Sequence, residues 1–479
     1  MRRSRSRRTG ARATHTASTR CGPACPLGTQ VKDFQPYADD LARLAQQVEA
    51  GHLADPQTTI AVNRALDGEA TIYLRKSVNL TELRANGAFF TSSSLAQKAW
   101  DLITSTIGSD SIILDPTCGA GNLLLPAIPY LAKTAIDTSD LSSRICGVDL
   151  SSSFVDAART RVALSAMQLT AGDKRFGDLG VQSFSKFMSA DLLQIDTNSI
   201  YKATHIALNP PYVMRPNPAW CDWTSGSVNS AAVFLAYCLE SMQPGARMVA
   251  ILPDVLRSGT RYHRWREHVE TLADVQDIVP FGQFDTLTDI HVFVLYLSKR
   301  DRSSTTHESS QLLTQIGIAP TDRQSQDLVD SWTDVGARFK VSVGTVVQHR
   351  HPEVGCLRRF AHAKGLEPWI EVSELPTRRF TGRCERPPFV VVRRTSRPGE
   401  PHRARPTIIS GSMPVAVDNH LIVLSPVDGS LDSCKDLVRV LRQPESSGWL
   451  DEHFRCRHLT VGSLRRLPWL ETEGETGRQ

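Results

Sequence analysis

The 479-residue sequence has no stretch approaching the ~18 consecutive apolar residues that cross a bilayer. Its apolar runs, such as Met248–Leu252 and Ile290–Leu297, have the length of buried strands. None of the ten cysteines forms a C-x-x-C pair or a tight knuckle, which argues against a zinc ribbon or a disulfide scaffold and suits reduced thiols in a cytosol. There is no G-x-S-x-G, no phosphate-binding G-x-x-x-x-G-K, no H-E-x-x-H, and no H-x-E paired with P-C-x-x-C. His453, Cys456 and His458 lie close together, but core or surface roles outweigh a metal site, and no metal is expected. No internal repeat and no endonuclease-like cluster of carboxylates with a lysine is visible, so any cleaving activity is expected on a separate chain.

What is present fits an ordinary globular protein, with 41% hydrophobic, 22% charged and 7% aromatic residues. The length is enough for about three domains at ~150 residues each. The net charge of +5 is unevenly spread: residues 1–32 carry +8, residues 375–410 carry +7, and the remainder is left at −10. Basic charge gathered at chosen places on an acidic body suits a polyanionic partner, with a solvated basic face as the even alternative. The Arg- and Ser-rich start has no hydrophobic period and is expected to be disordered over 1–35. A nucleic-acid-binding arm, a transit-like segment and an overextended start all stay open for it.

From Asp39 to Ala50 the spacing of Leu41, Leu44 and Val48 predicts an amphipathic helix, the first part of a helical lead-in over 36–84. Between about 85 and 300, short apolar runs (Ile112–Leu114, Ile145–Val148, His205–Leu208, Met248–Leu252, Val275–Val279, His291–Leu297) alternate with helical segments such as Ser153–Leu169 and Ala231–Met242. Strands alternating with helices predict a doubly wound, mostly parallel sheet with both faces covered. Residues 301–335 read as a polar linker. Short β-like runs at Phe339–Val347, Phe389–Val392 and Val415–Leu424 place a second, mixed α/β domain over 336–479.

Four segments carry chemistry. In Asp115-Pro-Thr-Cys-Gly-Ala-Gly121 a buried strand runs into a glycine turn and a helix start, at the strand end where parallel sheets bind ligands. Gly119 and Gly121 let main-chain N–H groups approach a ligand there. Asp149 closes the next strand, where an acid accepts ribose hydroxyls, and Asp191 follows a third, where a carboxylate could accept from an adenine amine. An N-cap is the plain alternative for each acid taken singly. The sharpest segment is Asn209-Pro-Pro-Tyr212, expected by chance on the order of 10⁻³ times in such a chain. An exocyclic amine on a base is a poor nucleophile because its lone pair is delocalised into the ring. The side-chain oxygen of Asn209 and the carbonyl of Pro210 can each accept one of its N–H groups and aim the lone pair at an electrophile. Pro210 and Pro211 keep the preceding residues extended, which holds both acceptors in place beforehand. Tyr212 offers a ring on which a base can stack, typically worth ~1–3 kcal/mol.

Together these segments resemble S-adenosylmethionine-dependent amino-methyltransferases, most closely the gamma class of adenine-N6 DNA methyltransferases of restriction–modification systems. The resemblance covers roughly 85–300, in the order that class uses. Asn86-Gly-Ala-Phe-Phe-Thr91 matches the motif before the glycine turn, which implies cofactor contacts for Phe89 and Thr91. Asp115, Pro116, Cys118, Gly119 and Gly121 match the methionine-binding turn, Asp149 the ribose acid, Asp191 the acceptor for the cofactor's adenine, and Asn209–Tyr212 the catalytic motif. Phe284 falls where the class places a second aromatic against the flipped base.

The resemblance implies a class I methyltransferase fold with a seven-stranded sheet, S-adenosylmethionine as cofactor, and double-stranded DNA as partner. It also implies a cytoplasmic, DNA-associated protein, with a restriction endonuclease or specificity subunit as a separate partner. In the second domain, Val415–Leu424 and His458–Pro468 are similar to strands and a closing segment of target-recognition domains. Arg378, Arg379, Arg393, Arg394 and Arg397 are the candidates there for phosphate or guanine contacts, with a plain surface-loop role weighing as much for any one of them. Ribosomal-RNA guanine-N2 methyltransferases and release-factor glutamine methyltransferases share Asn-Pro-Pro-Tyr. The Phe89-Phe90-Thr91 segment and the long C-terminal region argue against both. A catalytically idle DNA-recognition subunit is the rival of a different class.

Overall fold

The computed structural model describes residues 34–257, 261–285, 290–301, 334–348, 350–397, 399–454 and 459–470. The basic start and almost all of the expected linker lie outside the described residues, as do Cys456 and His458. Among the described residues no helix is long and apolar enough to cross a membrane.

The apolar runs of the first part form β1 (Ile113–Asp115), β2 (Ile145–Asp149), β3 (Phe187–Ser189), β4 (His205–Leu208), β7 (Arg247–Pro253), β8 (Ala273–Gln283) and β9 (His291–Lys299). A small hairpin of β5 (Met214–Pro216) and β6 (Ser227–Asn229) intervenes. The seven strands make one sheet in the order β3-β2-β1-β4-β7-β9-β8. β9 alone runs against its neighbours, pairing antiparallel with both β7 and β8. This is the mostly parallel, doubly wound sheet that the alternation of strand and helix predicted. The order reverses between β1 and β4, which are paired through Ile113 and His205, so a crevice opens beside their carboxyl ends.

Side chains of each strand alternate between two cores, as the period of two requires. Val249, Ile251, Val292 and Val294 pack on one face with the helices Ser93–Asp101 and Ser152–Leu169. Met248, Ala250, Leu252, Phe293, Leu295 and Leu297 pack on the other with the helix Ser230–Ser241.

The expected lead-in over 36–84 is a run of helices packed into the first core. Helices Gln35–Glu49, Pro56–Leu66, Glu69–Ser77 and Leu80–Asn86 place Leu41, Ala45, Val48, Val62 and Leu74 in the same core as Ile113 and Ile145. Phe34, fully buried at the start of the first helix, meets Phe90 and Phe154 edge-on at 5.6 and 4.9 Å, and those two rings meet each other at 5.0 Å.

From Val335 the chain builds a five-stranded sheet from β10 (Phe339–Val343), β12 (Glu371–Val372), β14 (Phe389–Arg393), β15 (Pro406–Ile409) and β17 (Leu421–Pro426), in the order β10-β17-β14-β15-β12. β11 (Cys356–Ala361), β13 (Thr377–Phe380) and β16 (Val415–Val417) form a second sheet. Val390, Val392, Ile422 and Leu424 face the helices Leu431–Arg442 and Pro444–His453, while Val391, Ile409 and Val423 face Val415 and Val417 of the smaller sheet.

The run Val415–Leu424 is two strands in different sheets, parted where Asp418 accepts the His420 N–H at 3.0 Å and turns the chain. The segment His458–Pro468 contains the helix Val461–Arg465, started by reciprocal Thr460 and Ser463 bonds of 3.0 and 2.8 Å.

Candidate active site

Four neighbouring strands each end in a polar residue at the same edge of the sheet. Asp115 is the last residue of β1, Asp149 the last of β2, Asp191 lies two residues beyond β3, and Asn209 follows β4. They meet in one open cleft. Phe89, Thr91, Pro116, Cys118, Gly119 and Pro211 also line it, so most of the residues expected at the cofactor come together.

The glycine turn is tied to the ribose-type acid. The Gly119 N–H donates to Asp149 Oδ2 at 2.9 Å and the Ser151 N–H to Asp149 Oδ1 at 3.0 Å, while the Cys118 N–H reaches the Val148 carbonyl at 2.8 Å. Gly119 has φ +50°, and a Cβ there would meet the Phe90 ring at 2.9 Å, so only glycine fits. Gly121 does not line the cleft. Its N–H closes the turn onto the Cys118 carbonyl at 2.8 Å, and its missing side chain admits Ala158 of the helix Ser152–Leu169, whose Cα lies 3.1 Å from where a Cβ would stand. That glycine serves helix packing rather than ligand approach. Asp191 caps its own turn, accepting from the Leu193 N–H at 3.0 Å, and still faces the cleft.

Burial pushes the Asp115 carboxyl up to about 8, against the Thr117 N–H that lowers it and with the Asp149 charge adding to the rise. Asp149 is raised for the same reason, burial outweighing the Ser151 and Gly119 N–H groups. The Cys118 thiol is also pushed up by burial and by these two acids, which makes it a poor nucleophile. Two neighbouring acids, Asp115 buried and Asp149 half-buried, favour a ligand that brings positive charge and hydrogen-bond donors.

Around Asn209 the bonds are specific. Its Nδ2 donates to Thr91 Oγ1 at 2.8 Å and its Oδ1 accepts from the Tyr212 hydroxyl at 2.8 Å. That hydroxyl has a second acceptor, the Ile251 carbonyl at 3.1 Å. Tyr212 meets Phe284 edge-on at 5.8 Å, although neither ring lines the cleft. Pro210 is buried and is not a lining residue either. Three further places contribute that the sequence did not single out. Gly87, with φ +64°, brings the preceding motif against Pro211, where a Cβ would lie 2.7 Å from the proline Cβ. Asn229, the cap of the helix Ser230–Ser241, reaches the Tyr212 carbonyl at 3.4 Å, and Ser230 Oγ the Val213 carbonyl at 2.7 Å. Asn122 donates to the Thr91 carbonyl at 2.6 Å; as a polar residue beside Leu123-Leu-Leu, it was the one visible signal of the three.

The candidate DNA-contacting arginines divide. Arg378 is buried and bonds the His351 carbonyl at 2.6 Å, Arg393 the Leu366 carbonyl at 2.6 Å, and Arg394 the Asn419 carbonyl at 3.3 Å. These three are engaged in holding the second region's own loops. Arg379 and Arg397 are exposed, although Arg379 also donates to the Gly355 carbonyl at 3.0 Å. His453, one of the trio weighed as metal ligands, places Nδ1 on the Trp449 carbonyl at 2.8 Å.

The family model described as N-6 DNA Methylase matches residues 68–316. No curated protein matches the chain in sequence. Among solved structures, the type IIL restriction-modification enzyme MmeI, solved in complex with DNA, is similar with a TM-score of 0.51 and 12% identity, over 84% of this chain and 69% of that one. The type IIG restriction endonuclease BpuSI has a TM-score of 0.44 and 13% identity, over 81% of this chain and 59% of that one. The modification subunit of a type I restriction enzyme from Vibrio vulnificus YJ016 has a TM-score of 0.35 and 18% identity, over 48% of this chain and 49% of that one. The chain thus spans little more than half of BpuSI and about half of the Vibrio subunit.

Proposed function

The chain belongs to the N-6 DNA methylase family, and from that premise we propose that it methylates the N6 amine of an adenine extruded from double-stranded DNA, as part of a restriction–modification or defence system. The observation that carries this reading is the convergence of Asn209 with Asp115, Asp149 and Asp191 on one cleft. The cofactor fits that donor set. Its ammonium, ribose hydroxyls and adenine amine are all hydrogen-bond donors, and the three strand-end carboxylates are acceptors. In this reading Asp115 receives the ammonium, Asp149 the ribose and Asp191 the adenine amine, with Phe89, Pro116, Cys118 and Gly119 forming the wall. S-adenosylmethionine, when bound, supplies an electrophilic methyl group.

The chain's own residues do the rest by orientation and electrostatics. The target base must leave the stack because the duplex buries the reacting nitrogen. Tyr212 is the candidate ring for it to stack on, and Phe284, buried, supports that ring edge-on. Asn209 Oδ1 and the Pro210 carbonyl accept the two amine N–H groups and stabilise the positive charge that develops on nitrogen. Tyr212 can yield Asn209 Oδ1 to the substrate without losing a partner, because its hydroxyl already reaches the Ile251 carbonyl. Arg379 and Arg397 remain the candidates for DNA contacts in the second region, which would read a short sequence.

The test is methyl transfer from labelled S-adenosylmethionine to duplex DNA, ribosomal RNA and a release factor in parallel, with Asn209→Ala as control. Label recovered as N6-methyladenine and lost in the control is expected. Label only in RNA or protein would overturn the reading, and cofactor binding without transfer to any substrate would favour a recognition-only subunit.

A further inference from the structure

Arg161 lies in the middle of the helix Ser152–Leu169 and is fully buried. Its partners are neutral oxygens: the Ala65 carbonyl at 2.7 Å, the Leu66 carbonyl at 3.4 Å, the Ala120 carbonyl, and Oδ1 of Asn122. The first two belong to the last turn of the helix Pro56–Leu66, where free carbonyls carry partial negative charge. A buried charge of this kind often contributes less to stability than an apolar residue of similar size. Its geometry suggests a task other than stability.

We propose that Asn122, held by the Arg161 guanidinium, is a positioning residue for methyl transfer, fixing through the Thr91 main chain the hydroxyl on which the Asn209 amide rests. This rests on the reading of Asn209 as the residue that receives the target amine. The chemistry of each link supports it. A guanidinium only donates and a main-chain carbonyl only accepts. The oxygen of Asn122 must therefore face Arg161 and its amide nitrogen the Thr91 carbonyl, at 2.6 Å. The orientation of Asn122 is uniquely determined.

Asn209 is framed differently. Its amide lies between two hydroxyls, Thr91 at 2.8 Å and Tyr212 at 2.8 Å, and a hydroxyl can donate or accept. Those partners leave the orientation of the amide open and hold it only as firmly as they are held themselves, so its position follows the Thr91 main chain. Asn122 does the pinning. A reacting group displaced by ~1 Å can lose about 10²-fold in rate.

Asn122→Asp separates positioning from structure. The carboxylate keeps its bond to Arg161, which holds it ionised, but has no donor for the Thr91 carbonyl. Asn122 lines the cleft, but Arg161 and the Thr91 carbonyl take its two polar atoms, so single-turnover transfer to duplex DNA is expected to fall at least tenfold with cofactor affinity within threefold of wild type. Thr91→Val is expected to fall likewise, and Thr91→Ser, which keeps the hydroxyl, to recover most of the rate. Wild-type rates in both variants would overturn the proposal, as would a slowing matched by lost cofactor affinity, which would make Asn122 a cofactor ligand instead.

A second readout does not depend on turnover. The Asn209 side-chain amide signal in asparagine-labelled protein, assigned by its loss in Asn209→Ala, is expected to lose protection from solvent exchange in Asn122→Asp. An unchanged signal overturns the proposal even if wild type transfers no methyl group, an outcome that would count separately against the function itself.

Discussion

Asp115 illustrates how the cleft trades stability for function. Its folded carboxyl is raised to about 8 by burial, while in the unfolded chain it titrates near 3.8. Between those values the unfolded state releases the proton that the folded state keeps, so this group lowers stability progressively as pH rises from about 4 to 8. Asp115→Asn removes the penalty. Its melting temperature is expected to match wild type near pH 4 and exceed it at pH 8, where the stability difference is roughly 4–6 kcal/mol, while cofactor affinity falls at least tenfold. Thermal scans at both pH values and a cofactor titration check both halves. Tyr212→Phe tests the hydroxyl separately from the ring: transfer is expected to slow about tenfold with DNA affinity unchanged, whereas Tyr212→Ala loses the stacking surface as well. At this scale the sequence was readable where the chemistry is local. The strand-end acids and Asn209–Tyr212 are local features whose placement follows from the strands that precede them. Arg161 was not readable, because the oxygens that define it lie up to 96 positions away.

At the scale of elements, close approach matters more than propensity. Gly87 ends the helix Leu80–Asn86 with φ +64°, and a Cβ there would lie 2.7 Å from Pro211. Gly87→Ala is expected to displace the Asn-Pro-Pro-Tyr segment and cut single-turnover transfer by about 10²-fold. Gly51→Ala is the control. That residue also has positive φ, +89°, but nothing stands within 4 Å, so the change is expected to cost about 1 kcal/mol and leave transfer at the wild-type rate. The same contrast explains which elements could be foreseen. Strands such as Met248–Leu252 and His291–Leu297 are apolar on both faces, and both faces are covered by helices. Val415–Leu424 has the same character, yet its Asp418-Asn-His turn sends the two halves into different sheets. A turn that keeps apolar residues on both sides leaves little trace in hydrophobic pattern.

For the whole molecule, the division of basic charge was legible but its use was not. Charge counts do not distinguish Arg393, bonded to the Leu366 carbonyl, from Arg397, which is exposed. Arg379→Ala and Arg397→Ala are each expected to weaken DNA binding and flatten its salt dependence by about one unit of slope, while Arg393→Ala is expected to lower the melting temperature instead. Filter binding at several salt concentrations and a thermal scan separate the two classes. The amino-terminal helices were legible as helices but their packing was not, because amphipathic spacing shows that a face is buried but not against what. The rings of Phe34, Phe90 and Phe154 join the first helix to the wall of the cleft. Whatever settles in that cleft restrains Phe90 and Phe154, and their mutual edges pass the restraint to a helix the ligand never touches. Amide hydrogens of Gln35–Glu49 should therefore exchange more slowly when the cofactor is present, so the far side of the molecule reports on occupancy of the near side.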